Sequence, residues 1–312
     1  MQRLFFLLLV LSGLSTGMLA QKSNSSALSA DRLATLQSLE DELLTESYQM
    51  HTDSSEQARF VSCKRLIKGL VRALQTPGSY YYDFPNLAGV KIVRSPDDKF
   101  RIFTWELHVD RETYRHYGAI QHNSIELKLT PLVDRGYDFR QNPETVITSN
   151  KDWLGYVAYG MIPGGTHEGQ PYYFVLGYDR YSGLRRQKFL DVLTFDAAGK
   201  PQFGLPIFVT YTPEGHLLED RARILLEYSA EASVALQYDP KLGRIVYENL
   251  IIAQGSDEGP LSVPDGSYHA LELGTDGRWH EVTKLFDHKY EKAPVERVTT
   301  TGNVDIIGRS RN

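Results

Sequence analysis

Apolar positions along this chain keep two different periods. Between residues 33 and 74 they recur every three or four positions. Leu33, Leu36, Leu39, Leu43 and Leu44 mark one helical face, and Phe60, Cys63, Ile67, Leu70 and Leu74 mark another. Ser29 is a cap for a helix beginning near Ala30, with Asp31 in the first turn to complement the helix dipole. A polar break at 52–55 follows. Asp53, three residues before Glu56, has the reciprocal capping spacing that opens a second helix, and Thr76-Pro77-Gly78 stops it. Two short helices cannot bury both stripes against each other alone, so they are expected to cover the flank or end of another layer.

From Tyr80 onward the period is two. The centre of the pattern is 171–208, where YYFVLGY (172–178) and KFLDVLTF (188–195) form two apolar-aromatic strands, each followed by an Asp/Gly turn. Pro201 and Pro206 lack a backbone donor, so 202–208 reads as an edge or interrupted strand. Further strands are expected at 89–93, 100–108, 125–129, 153–161, 223–228, 233–238, 244–251, 268–273 and 278–282. On 100–108 the side carrying Arg101, Phe103, Trp105 and Leu107 is the better core face. Turn chemistry repeats at 196–199, 239–243 and 274–277. The fold class is therefore mainly β, an antiparallel meander with a short N-terminal helical segment. A propeller-like or open arrangement is the first expectation and a twisted barrel or sandwich the second. The Asp196, Asp239 and Asp276 turns lie 43 and 37 residues apart, near a blade period, yet no blade signature recurs in register.

The ends change the picture of where the protein works. Arg3 precedes an apolar run at 4–11, and 12–20 turns small and polar, the pattern of a signal peptide cleaved after Ala20. Eight apolar residues are far short of the roughly 20 that span a bilayer, so no transmembrane segment is expected in the mature chain. The segments are then 1–20 signal peptide, 21–78 helical segment, 79–290 β-rich domain and 291–312 tail, with 304–307 able to tuck back. Localisation is exported, periplasmic or extracellular. Asn24-Ser25-Ser26 is a formal glycosylation triplet that matters only in a eukaryotic secretory route. Loss of Arg3 moves the net charge from −5 to −6, which disfavours nucleic acid and anionic membrane as partners. Cys63 is the single cysteine, so no intrachain disulfide forms, and its helical face makes it a buried structural thiol.

Candidate chemistry is sparse. The chain has no Gly-x-Ser-x-Gly, His-Glu-x-x-His, Cys-x-x-Cys or phosphate-binding loop, and no cofactor is expected. His108, Asp110, His116 and His122 form the best cluster with metal-ligand chemistry, with Glu112 as a base beside a metal-bound water, although solvent-facing salt bridges account for the same residues. Nineteen tyrosines offer apolar faces with polar tips. Pro163 to Gln170 reads as a Gly-rich loop flanked by Tyr156, Tyr159, Tyr172 and Tyr173, so these rings with His167 are the expected binding rim for a glycan, a peptide or an envelope protein.

SPDDKFRIFTWEL (95–107), YYFVLGY (172–178) and DVLTFDAAGKPQFGLPIF (191–208), together with the leader ending Ala20-Gln21, resemble conserved exported proteins of Bacteroidota-type bacteria that have no established activity. The likeness covers about 65–250. It implies export and a compact β-rich body, carries no catalytic residue across, and makes the Asn24 triplet irrelevant. The functional expectation is a non-catalytic structural or ligand-binding β-rich protein. The alternative is a metal-assisted hydrolase of the periplasm or cell envelope.

Overall fold

The structure is a computed structural model that describes residues 28–212, 214–256 and 259–282. The segments expected as signal peptide and C-terminal tail, and the Asn24 triplet, lie outside the described residues.

Helix α1 (Ala30–Thr52) starts where Ser29 accepts from the Arg32 N–H, as its sequence requires. Its buried stripe is Leu36, Glu40, Leu43, Ser47 and Met50, while Leu33 and Leu44 stand in solvent. Glu40 holds a leucine-like position because its carboxylate is fully engaged. It accepts from the Tyr82 hydroxyl and from the Asn86 and Leu87 N–H groups. Helix α2 (Glu56–Leu74) is capped by Ser55, not by Asp53, whose carboxylate instead accepts from the Ser55 N–H. Cys63 is buried as expected, and burial pushes its thiol pKa up.

Sixteen strands follow among the described residues, and the body is mainly β and almost wholly antiparallel. The first sheet is the meander β1 (Lys91–Arg94), β2 (Phe100–Asp110), β3 (Thr113–His122) and β4 (Leu129–Val133). The second contains β5 (Thr148–Ser149), β6 (Val157–His167), β7 (Gln170–Asp179), β8 (Arg185–Phe195) and β9 (Pro201–Phe203), in the order β5-β9-β8-β7-β6. The third takes β10 (Phe208–Tyr211), β11 (Leu217–Arg221), β13 (Leu236–Asp239), β14 (Arg244–Ser256), β15 (Gly259–Leu273) and β16 (Trp279–Val282). Between them in the chain, β12 (Ile224–Ser229) pairs with β8. Among the described strands one pairing departs from the antiparallel rule: β10 lies parallel to β16, with Phe208 opposite Trp279, and an isolated parallel bridge joins Asp134 to Trp153.

Three cores join these layers in series. Leu36, Leu43, Leu66 and Leu70 of the helices pack on Phe103, Trp105 and Leu107 of β2. The other face of the first sheet, with Phe100, Ile102 and Ile120, meets Tyr173, Val175 and Phe189 of the second. Tyr172, Phe174 and Leu176 point the opposite way, onto Ile245, Tyr247, Leu271 and Trp279 of the third. Strand alternation thus splits β7 between two cores, which is why YYFVLGY is apolar at nearly every position. Successive sheets pack face to face as neighbouring propeller blades do, in an open series, and none of them closes into a barrel among the described residues.

Strand β2 is likewise buried on both faces, so the expected core face is only half of the answer. Arg101 survives there fully buried because its guanidinium donates to the Tyr82 and Ser79 carbonyls at 2.6 and 2.9 Å and to Gln121 at 2.8 Å. Among the described residues no helix is long and apolar enough to cross a membrane.

Candidate functional site

The expected aromatic rim does not assemble. Residues 163–167 are not a loop but the end of β6, and the turn shrinks to Glu168 and Gly169, at φ 49° and 77°. Positive φ at both positions is the hairpin geometry that matches strand twist, and glycine supplies the second at no steric cost. Tyr172 faces the core between the second and third sheets, where its hydroxyl accepts from Trp279 Nε1 at 2.8 Å. Tyr156 and Tyr173 face the other core and donate to Asp191 and Asp97. Only Tyr159 is partly open, and its hydroxyl donates to the Leu236 carbonyl. His167 is exposed at the hairpin tip. The five residues are thus spread over two cores, a partly open position and the hairpin tip rather than one concavity.

The second cluster also disperses. His108 is exposed and stacks on Tyr114, and Asp110 accepts from the Glu112 N–H in the β2–β3 turn. His122 sits six residues along β3 from His116 and packs against Phe195. Among the described residues, no group of three or more His, Cys, Asp or Glu side chains could hold a metal ion.

His116 nevertheless marks the most developed polar site. Its ring is buried beside three carboxylates. Nδ1 lies 3.5 Å from Asp134 Oδ2, and Nε2 lies 3.2 Å from Asp179 Oδ1 and 4.0 Å from Glu106 Oε2. Burial opposes charge on the ring, but Asp179 and Asp134 outweigh it and raise the imidazole pKa from 6.5 to about 10. At neutral pH the group is therefore a cation and a donor, not a base. His116 Nε2 and Glu106 Oε2 are nonetheless buried without a hydrogen-bond partner, since the Asp179 contact is close but poorly directed.

Backbone structure fixes the two aspartates. Asp134, just beyond β4, accepts from the His116 and Gly136 N–H groups at 2.8 and 2.9 Å, and these bonds together with the His116 ring hold its pKa down despite burial. Its near neighbour Gly155 has φ 76°, and a Cβ there would stand 2.5 Å from Asp134 Oδ1. Asp179, at the end of β7, accepts from the Tyr181 N–H at 2.7 Å and holds Tyr181 in the left-handed region, φ 57°.

Above this floor opens a cavity of about 740 Å³, between β3 and β4 on one side and the ends of β7, β8 and β12 on the other. Its mouth carries an unusual clamp. The Arg140 guanidinium lies 4.9 Å from the Tyr137 ring and 4.8 Å from the Tyr181 ring. Tyr137 is 77% exposed, so the clamp faces solvent. Glu227 and Gln187 line the inner wall and are joined at 2.8 Å.

Of these residues the sequence reading named only His116, and for a different chemistry. A usable signal was present. Asp-Arg recurs at 110–111, 134–135 and 179–180, with Tyr114, Tyr137 and Tyr181 a few residues on. Each pair ends or follows a strand, and Glu112 accepting from the Gly183 N–H ties the first turn to the third. With the geometry in view, the chain was compared with protein families, curated proteins and solved structures, and no match was found in any of the three.

Proposed function

We propose that this is an exported, non-catalytic, ligand-binding β-rich protein, working in the periplasm or outside the cell. Its binding site is the cavity above His116. One observation carries the reading: a concavity of about 740 Å³, the size of ordinary small-molecule sites, combines preset polar groups with aromatic faces. The floor groups His116 and Asp179 sit on strands and Asp134 directly follows β4, which positions them, while Tyr137 and Arg140 stand on the connection 134–147 between β4 and β5. The floor supports the non-catalytic part of this reading: Asp179 and Asp134 favour the charged form of the His116 imidazole, which makes it a poor general base at neutral pH, and each aspartate accepts from a backbone N–H group. The apolar leader at 4–11 supports export.

Ligand-observed NMR against a panel of sugars, sugar acids, amino acids, dipeptides and amines tests the site. Val133 lines the cavity and is 42% exposed on β4, so Val133→Trp plugs the opening without disturbing a core. Hits that disappear in V133W, with an unchanged melting profile, support the reading. A panel with no V133W-sensitive hit sinks it, as does turnover of any hit.

A further inference from the structure

We infer that the ligand of this cavity is an acidic carbohydrate, a sugar whose carboxylate pairs with Arg140 while its ring lies against Tyr137. This rests on the cavity being the binding site and adds the chemical class.

Arg140 carries the argument. Several arginines among the described residues are paired with carboxylates. Arg185 meets Glu227, Arg221 meets Glu144, Arg180 meets Glu106 and Arg94 meets Asp83. Arg140 has no carboxylate within 4 Å and no hydrogen bond among the described residues, yet it lies over two rings. Among the described residues Arg135 and Arg115, which also line the cavity, have no ion pair either. A guanidinium packed against two rings is restricted in its rotamers while its N–H donors stay free for bidentate capture of a carboxylate. The lost rotamer freedom is already spent in the folded state, so binding gains from it.

The remaining lining argues for hydroxyls on the same molecule. A bare anion on Arg140 would leave the rest of the polar wall, Asp138, Asp179, Gln187 and Glu227, unused. Carboxylates accept from sugar hydroxyls, and the Gln187 amide can both donate and accept. Tyr137, three-quarters exposed, offers a flat face for the C–H side of a pyranose. The cavity volume of about 740 Å³ has room for more than one sugar unit.

The probes are sodium glucuronate and galacturonate against glucose and galactose at equal ionic strength, with acetate and inorganic phosphate as bare anions. Affinities are measured by titration calorimetry on the wild-type chain, R140K, R140A and V133W. The expected result is at least tenfold tighter binding of a sugar acid than of its neutral parent. R140K and R140A should remove that preference, and V133W should abolish binding of the sugar acid and its neutral parent alike. V133W-sensitive binding of neutral sugars or amines alone overturns the acidic class while the cavity stands as the site. Acetate or phosphate binding as well as the sugar acid overturns the carbohydrate part. Sugar-acid binding that ignores R140A and R140K overturns the role of Arg140. If no probe binds in a V133W-sensitive way, the sugar class falls outright, and the wider panel decides whether the cavity does too.

Discussion

Two buried charge clusters in this molecule resemble each other in composition and differ in what surrounds them. In the second sheet, Arg223 and Asp191 are both fully buried and meet at 2.9 Å. Asp191 also takes the Tyr156 hydroxyl at 3.1 Å and the Val192 N–H, while Arg223 donates to the Pro143, Val146 and Phe203 carbonyls. Each guanidinium nitrogen has a partner, and the cluster pins the 143–146 connection to the sheet. The His116 cluster sets the imidazole and Arg180 against three carboxylates, leaves two buried polar atoms without a hydrogen-bond partner and opens on a cavity. A closed, satisfied cluster is bound to the scaffold's stability. A cluster with spare hydrogen-bonding capacity beside open volume is a place where the scaffold has been left able to hold something else.

The sharpest way to break that contrast is Arg223→Ala. It strands Asp191 in a dry interior and should destabilise the fold by about 3–5 kcal/mol in urea unfolding, whereas the paired Arg223→Met, Asp191→Leu variant should recover most of the loss. Next comes His116→Gln, expected to cost about 1–3 kcal/mol because the cavity lets water reach the exposed partners. Its pH signature is more telling than its size. The folded pKa is raised from 6.5 to about 10, so the stabilisation is fully present below pH 6.5 and is lost as pH rises through about 10. Wild-type stability should fall across that window and H116Q should not share this fall; parallel curves for the two proteins would refute the imidazolium. Gly155→Ala should cost about 1–3 kcal/mol, since its φ is positive and the new Cβ meets Asp134. It should also loosen ligand binding, which calorimetry would show. Arg140→Lys stands last. Its melting profile should stay within about 0.5 kcal/mol of wild type, because an exposed side chain without an ion pair contributes little to folding. A large loss there would make the clamp a scaffold element and erase the difference between the two clusters.

Much of the architecture was legible because periodicity reports burial. The change from a three-to-four spacing to a spacing of two near Tyr80 located the helices and the sheet body, and the Asp/Gly turns at 196–199, 239–243 and 274–277 stand where their chemistry placed them. The errors share a cause. Pro163-Gly164-Gly165 looks like a loop, yet Pro163 and Gly165 pair with Tyr173 and Tyr172 on β6, which has one neighbouring strand among the described residues and carries a register shift at this point. In the same way the expected strand at 125–129 lies four residues later, at Leu129–Val133, where β3 offers a partner. Pairing depends on residues far away in sequence, which local composition does not contain.

The site was less legible for a related reason. Asp134, Arg140 and Tyr181 have ordinary surroundings in the sequence, and only the approach of three strand ends makes them neighbours. His116 drew notice because histidine is rare and flanked by charge. The carboxylates that define it, Asp134 and Asp179, are 18 and 63 positions away. Tyrosines were misread in the opposite direction, since Tyr156, Tyr172 and Tyr173 look like a ligand surface and instead spend their hydroxyls inside the cores.

The parallel pairing of β10 with β16 reaches beyond static architecture. Phe208 and Trp279 are joined across some seventy residues, with β11 to β15 between them in the chain. Contacts of such long sequence separation form late, because the intervening chain must be closed before they reward it. During synthesis the helices and first sheet can assemble while the third still lacks the strand that β10 lies against. Until Trp279 arrives, β10 has a bare edge, the kind of surface on which nascent chains associate wrongly. Folding should therefore be staged, with the N-terminal layers protected first and the third sheet sealed by one of the last strands to emerge.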